Sequence, residues 1–197
     1  FNLDELLQTT VHLIVERFGF YHAGIFLIDS SGKLASLRAA HGPSAEEMLK
    51  RGHQLEVGSD SIVGWSSANL KPRVAADVEQ DPVYRKNPLL PGTRAEVGIP
   101  IALGNVALGV LDVQSTEPHV FDEEMIIVLQ TLANQIAAAI HNATLVESAR
   151  LDAPEAERVY RLSHEIAQAR SEEEALVALG RVMKETPHPS IVMQLME

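Results

Sequence analysis

The chain has 197 residues, with 27 acidic against 16 basic for a formal net charge of −11, 46% hydrophobic residues and no cysteine. The acidic excess argues against nucleic acid as a partner and against docking on anionic membranes, both of which are met by basic surfaces. The missing cysteine excludes thiol nucleophiles, thiolate zinc sites, disulfides and thioether-linked chromophores in this segment. No apolar run approaches the ~18 residues of a membrane span, and the start carries no secretory signal, so a cytoplasmic segment is expected. Because it begins on Phe1, the chain reads as a fragment or a trimmed chain.

Leu3, Leu7, Val11, Ile14 and Phe18 fall at helical spacing and stop at Gly19. "AGIFLID" then reads as a buried strand, and Ser30 to Gly32 as the turn into "KLASLRAA". "SAEEMLKRG" and "SIVGWSSANL" read as two short helices, the first opening behind Ser44 and the second stopping before Pro72. "RVAADV" is an expected strand, and the segment from Glu79 to Gly92, with Pro82, Pro88 and Pro91, an expected loop. "AEVGIPIAL" and "VALGVLDVQ" flank Gly104-Asn105, a dipeptide suited to a tight hairpin because glycine takes positive φ at the first central position.

A long helix is expected from Asp122, with Asp122, Glu123 and Glu124 at its electropositive end. Met125, Leu129, Leu132, Ile136, Ala139, Ala143 and Val146 form a heptad seam that either packs on a sheet or pairs with a second copy. Val128, Ala133, Ala137 and Ile140 widen the apolar surface, so one flank suits the sheet and another a partner. The expected partner is a second chain, in a homodimer through helices 122–150 and 155–170. At Pro154 a kink or restart is expected, since Asp152 and Glu155 have capping-box spacing.

The element order and wording resemble a GAF domain. "GSDSIVGWSSANLKPRVAADVEQDPVY", "TRAEVGIPIALGNVALGVLDVQS" and "FDEEMIIVLQTLANQIAAAIHNATL" are similar to successive GAF motifs, and the likeness runs from Leu3 to Val146. It implies an α+β, GAF-like (PAS-related) fold, with an antiparallel sheet sandwiched by helices and a long C-terminal connecting helix. The tail "SEEEALVALGRVMKETPHPSIVMQLME" parallels the opening "LDELLQTTVHLIVERFGFYHAGIFLID". The organisation implied is a GAF domain over 1–150, a signalling linker over 151–170, and over 171–197 the start of a second GAF domain. The family also implies the context, a bacterial multidomain signalling protein such as a two-component sensor histidine kinase.

GAF domains bind small molecules over one sheet face or serve as dimerisation modules. Without cysteine, covalent tetrapyrrole attachment is excluded, as is the activity of the free methionine sulfoxide reductases of this fold; the cofactor is unknown, and a non-covalent small molecule remains open. On "AEVGIPI" the side chains alternate, so Ala95, Val97, Ile99 and Ile101 read as core, and Glu96, Gly98 and Pro100 as a cavity floor. Trp65, Asp77, Tyr84, Arg94 and Glu96 are the candidate ligand-binding groups; packing, turn formation or a surface ion pair would also account for each. The eight histidines show no i, i+4 pair on one helix face, so no metal site is expected, although a haem needs only one axial His.

"RLSHEIAQAR" resembles the phosphoacceptor box of sensor histidine kinases, with His164 as the acceptor. The residues that follow, Ala167, Gln168 and Ala169, lack the proline such boxes carry. No catalytic residue is therefore assigned. The expectation is a regulatory sensor module passing a signal along its terminal helices; a ligand-free dimerisation spacer is the alternative.

Overall fold

The computed structural model describes residues 2–168, as backbone only at residue 147 and from 150 onward. Ten elements follow one another: α1 (Leu3–Phe18), β1 (His22–Ile28), β2 (Leu34–His41), α2 (Ala45–Lys50), β3 (Gln54–Glu56), α3 (Ile62–Asn69), β4 (Arg73–Ala75), β5 (Ala95–Leu103), β6 (Val106–Ser115) and α4 (Glu123–Gln168). The strands form one six-stranded sheet in the order β3-β2-β1-β6-β5-β4, and every pair is antiparallel. The first compact unit is residues 1–143.

The sheet separates two apolar layers because its strands alternate. Ala95, Val97, Ile99 and Ile101 of β5 and Leu111 and Val113 of β6 face α1 and α4, where Leu7, Val11, Ile14, Leu129, Ala133, Ile136 and Ala137 meet them. On the other face Phe26, Leu37, Ala40 and Val110 pack with Met48 of α2, Val63 of α3 and Leu90 of the loop after β4. The upstream half of the α4 seam therefore packs on its own sheet. Ile127, Val128, Leu145 and Val146 stay exposed.

Local chemistry sets the ends of these elements. Asn2 caps α1 by accepting from the Asp4 and Glu5 amides, and Gly19 closes it at φ +72°. Asp122 accepts from the Met125 amide at 2.8 Å and opens α4. Leu103 pairs with Val106, so Gly104 and Asn105 make a two-residue turn, with Gly104 at φ +59°.

Two local expectations need correction, and one strand lies outside them. The β3 strand, only three residues long, has no periodicity to announce it. The β4 strand stops at Ala75 rather than Val78, because the chain bends at Ala76 and Asp77 before the Val78 amide reaches the Arg94 carbonyl. The helix α4 runs continuously through Pro154, so Asp152 and Glu155 lie inside it and, of the expected kink or restart, the restart does not occur. One proline removes one backbone hydrogen bond, and the alanines, leucine and glutamates around it are strong helix formers. His164 lies on this helix with its side chain outside the described residues, as does the whole of the expected second-domain start at 171–197.

The start of α3 is tightly specified. Ser61 caps it by accepting from the Gly64 amide at 2.9 Å. A Cβ at Gly64 would sit 2.8 Å from the Glu56 and Ser59 carbonyl oxygens and closer still to the Ser59 hydroxyl. Glycine-to-alanine in a helix normally gains about 1 kcal/mol. Here overpacking against backbone outweighs that, and Gly64→Ala is expected to cost about 1–3 kcal/mol in urea unfolding.

Candidate functional site

Strand register brings two acidic side chains to the sheet face away from α1 and α4. Asp112 pairs across β6 with Gly24 on β1 and with Gly98 on β5, and Glu96 pairs with Gln114. Both neighbours of Asp112 thus lack side chains. The spaces are taken from above: a Cβ at Gly24 would touch Leu37 at 3.0 Å, and one at Gly98 would touch Ile62 at 3.1 Å.

Over these residues lies a cavity of about 330 Å³. Glu96, Asp112, Gln114 and Phe26 come from the sheet, and Met48, His53, Leu55, Ser61, Ile62 and Val63 supply the walls. Arg85, Lys86, Asn87 and Pro88 of the loop after β4 complete the lining, with Arg85 and Lys86 exposed. The size suits a metabolite rather than a macromolecule.

The acid pair is buried, Glu96 at 7% and Asp112 at 2% exposure. Burial, followed by the neighbouring Asp112 charge, holds the Glu96 carboxyl well above the usual carboxylate range. Burial also pushes Asp112 up to about 6, against hydrogen bonds from Gln114 and Glu96 that favour its ionised form. The Thr93 hydroxyl donates to Gln114 Oε1 at 2.6 Å, and Gln114 Nε2 donates to Asp112 Oδ2 at 2.8 Å. Asp112 Oδ1 receives no hydrogen bond from any surrounding N–H or alcohol. A proton on Glu96, or a donor on a ligand, fills that place.

His22 stands beside this network, opposite Gln114 on β1, with burial pushing its imidazole down to about 4. It is neutral at ordinary pH, and its Nδ1 has no partner. His53, at the cavity wall, is likewise lowered by burial.

The five candidates from the sequence fall in three places. Glu96 lines the cavity. Tyr84 is half-buried in the loop after β4, off the lining, and burial followed by the Glu96 charge raises its phenol above the usual range. Trp65, Asp77 and Arg94 lie off the lining. The guanidinium carbon of Arg73 sits 5.9 Å from the Trp65 ring centroid, and Arg73 in turn pairs with Asp81 at 2.7 Å. Arg94 reaches Asp77 at 3.5 Å and Glu79 at 3.7 Å. The Glu79 amide, with lesser help from Gln80 and Arg94, holds the Asp77 carboxyl below its usual range. Asp112 and Gln114 were missed, although the alternation that placed Glu96 also puts Val110, Asp112 and Gln114 on one face of β6.

Among the described residues, one group has the composition of a metal site: His12, Glu16 and His41, away from the cavity. Its helical i, i+4 pair is His12 with Glu16 rather than two histidines, and His41 comes from a strand. No helix among the described residues is long and apolar enough to cross a membrane.

A family model described as a GAF domain matches residues 2–141. GAF domain-containing protein A of Dictyostelium discoideum is 26% identical over 117 residues, 59% of this chain and 68% of its own. The GAF domain of a phosphoenolpyruvate-protein phosphotransferase from Coxiella burnetii is 28% identical with a TM-score of 0.67, covering 75% of this chain and 87% of that one. The free methionine-R-sulfoxide reductase of Neisseria meningitidis, solved in complex with its substrate, shares the fold at 21% identity and a TM-score of 0.64, over 74% of this chain and 81% of that one. With the six-stranded sheet, its two helical layers and the match over most of its length, the chain belongs to the GAF domain family of regulatory sensor and ligand-binding modules.

Proposed function

We propose that this chain is a sensor module that binds a small molecule non-covalently in the cavity above Glu96 and Asp112, and relays occupancy through α4 to an effector. The observation that carries the reading is the buried acid pair on the cavity floor, where no N–H or alcohol of the protein reaches Asp112 Oδ1 and only Glu96 stands beside it. Two adjacent buried acids are costly to ionise together, and a cationic donor that lets the second proton leave recovers that cost as affinity. The ligand class that answers this floor carries an ammonium group. Arg85 and Lys86 at the lining suit an acidic group at its other end, which describes a free amino acid or a similar zwitterion.

Relay follows from position. The loop carrying Arg85 to Pro88 can order over a ligand, and α4 packs on the back of the strands that carry Glu96 and Asp112. Exposed Ile127, Val128, Leu145 and Val146 supply apolar surface for a homodimer through α4. The competing reading, a ligand-free dimerisation spacer, keeps the dimer and drops the cavity's role.

Native mass spectrometry of the purified chain, followed by calorimetric titration with free amino acids and simple amines, tests the proposal. Glu96→Gln is expected to weaken a ligand found this way by more than about tenfold, since removing one partner of a buried charge contact costs 2 kcal/mol or more. Finding no co-purified or titratable small molecule would leave the spacer reading standing, and binding unchanged in both Glu96→Gln and Asp112→Asn would place the ligand outside this cavity.

A further inference from the structure

The outer side of α1 carries polar residues every fourth position, Asp4, Gln8, His12 and Glu16, and all four meet β2. Arg38 donates to both Asp4 carboxylate oxygens at 2.9 and 3.1 Å, and Gln8 Nε2 donates to the Ala40 carbonyl at 2.9 Å. These contacts fix the helix against the strand. At the next step along the stripe, His12 and Glu16 reach His41, the last residue of β2.

We propose that His12, Glu16 and His41 form a binding site for a divalent transition-metal ion of the zinc class. One ligand atom from each lies within 4.8 Å of the other two. Zinc bonds of 2.0–2.1 Å in tetrahedral geometry hold neighbouring ligand atoms about 3.3 Å apart. His41 Nε2 and Glu16 Oε1 stand at 3.2 Å, so that pair already has the spacing. His12 needs a shift of roughly 1.5 Å at most to join them, within reach of an exposed side chain on a fixed helix.

The bland alternative, a surface ion pair between His41 and Glu16, accounts for one contact. It does not account for the second imidazole edge-on to the first, with ring centroids 4.6 Å apart. Two imidazoles and one carboxylate suit zinc, nickel or copper(II). Calcium and magnesium, which take oxygen ligands, find only one carboxylate here. Three protein ligands leave an outer position for water. The site is independent of the cavity, and a bound ion would clasp α1 to β2, stabilising the folded domain by mass action.

Titrating the untagged chain with zinc chloride in a non-coordinating buffer, by calorimetry and thermal unfolding, tests the site. The expected result is one ion per chain and a melting temperature that rises with zinc but not with magnesium. His12→Ala and His41→Ala should each weaken binding at least about tenfold, since even an outer-shell partner is worth 10–100-fold. Far-UV circular dichroism confirms that each variant folds. No stoichiometric zinc binding, or binding that survives unchanged in the double variant, overturns the proposal.

Discussion

Asp112→Asn is expected to raise the melting temperature at pH 8 and, under the proposed function, to abolish small-molecule binding. The Asp112 carboxyl is displaced from 3.8 to about 6 by burial, and a group whose folded pKa is raised stabilises fully only below its unfolded value. That stability is lost as pH climbs through about 6. Two units of displacement correspond to on the order of 3 kcal/mol, a shift of several degrees for a domain of this size. The amide can still accept from Gln114 through its oxygen while its Nδ2 donates to Glu96, so no buried group loses a partner. The gain should therefore appear between pH 4 and pH 7 and vanish below pH 4. A variant no more stable than the parent at pH 8 would show that the acid pair carries no such strain. His22 works in the opposite direction: its folded pKa is depressed, so its contribution is present above about 6.5 and lost as pH falls toward 4.

Leu129→Ala is expected to destabilise the domain by about 2–5 kcal/mol, from lost burial plus the cavity left behind. Leu129 is fully buried between α4 and the sheet, where Ala133, Ile136 and Ala137 continue the contact. Against a typical total of 5–15 kcal/mol this is a large fraction, readable as a lower urea midpoint. Ile127, two residues away, is 66% exposed, and Ile127→Ser should change monomer stability by no more than about 0.5 kcal/mol. Equal losses at both positions would place the α4 anchor elsewhere.

The same pair of residues shows what the sequence made legible. A helix over 123 onward, its electronegative start and its apolar stripe follow from periodicity and charge, and so does the alternation of β5. Which half of the stripe would be buried does not, because two readings of a wide apolar face are equally amphipathic. Glu96 could be placed on the cavity face from its own strand. Asp112 required register: only the pairing of β6 with β5 and β1 shows that it sits beside Glu96 with glycines on either hand. Residue type alone points Trp65, Asp77 and Arg94 toward the cavity, yet ion-pair and cation–π partners hold them at the β4 side: Arg73 for Trp65, and Asp77 and Glu79 for Arg94. The meeting of His12 and Glu16 with His41 joins a helix to a strand 25 residues on from Glu16, which no local pattern encodes.

Gly98 divides two properties of the cavity that are usually bound together. It does not line the space, but its missing side chain lets Ile62 and Ser66 settle on the sheet, with the Ser66 hydroxyl 3.1 Å from the Gly98 carbonyl oxygen. A methyl group there would lift α3 by a few tenths of an ångström and carry the wall residues Ile62 and Val63 with it. Cavity size is thus adjustable at one strand position, opposite Asp112 and two residues from Glu96, through the seat of α3 rather than through either acid.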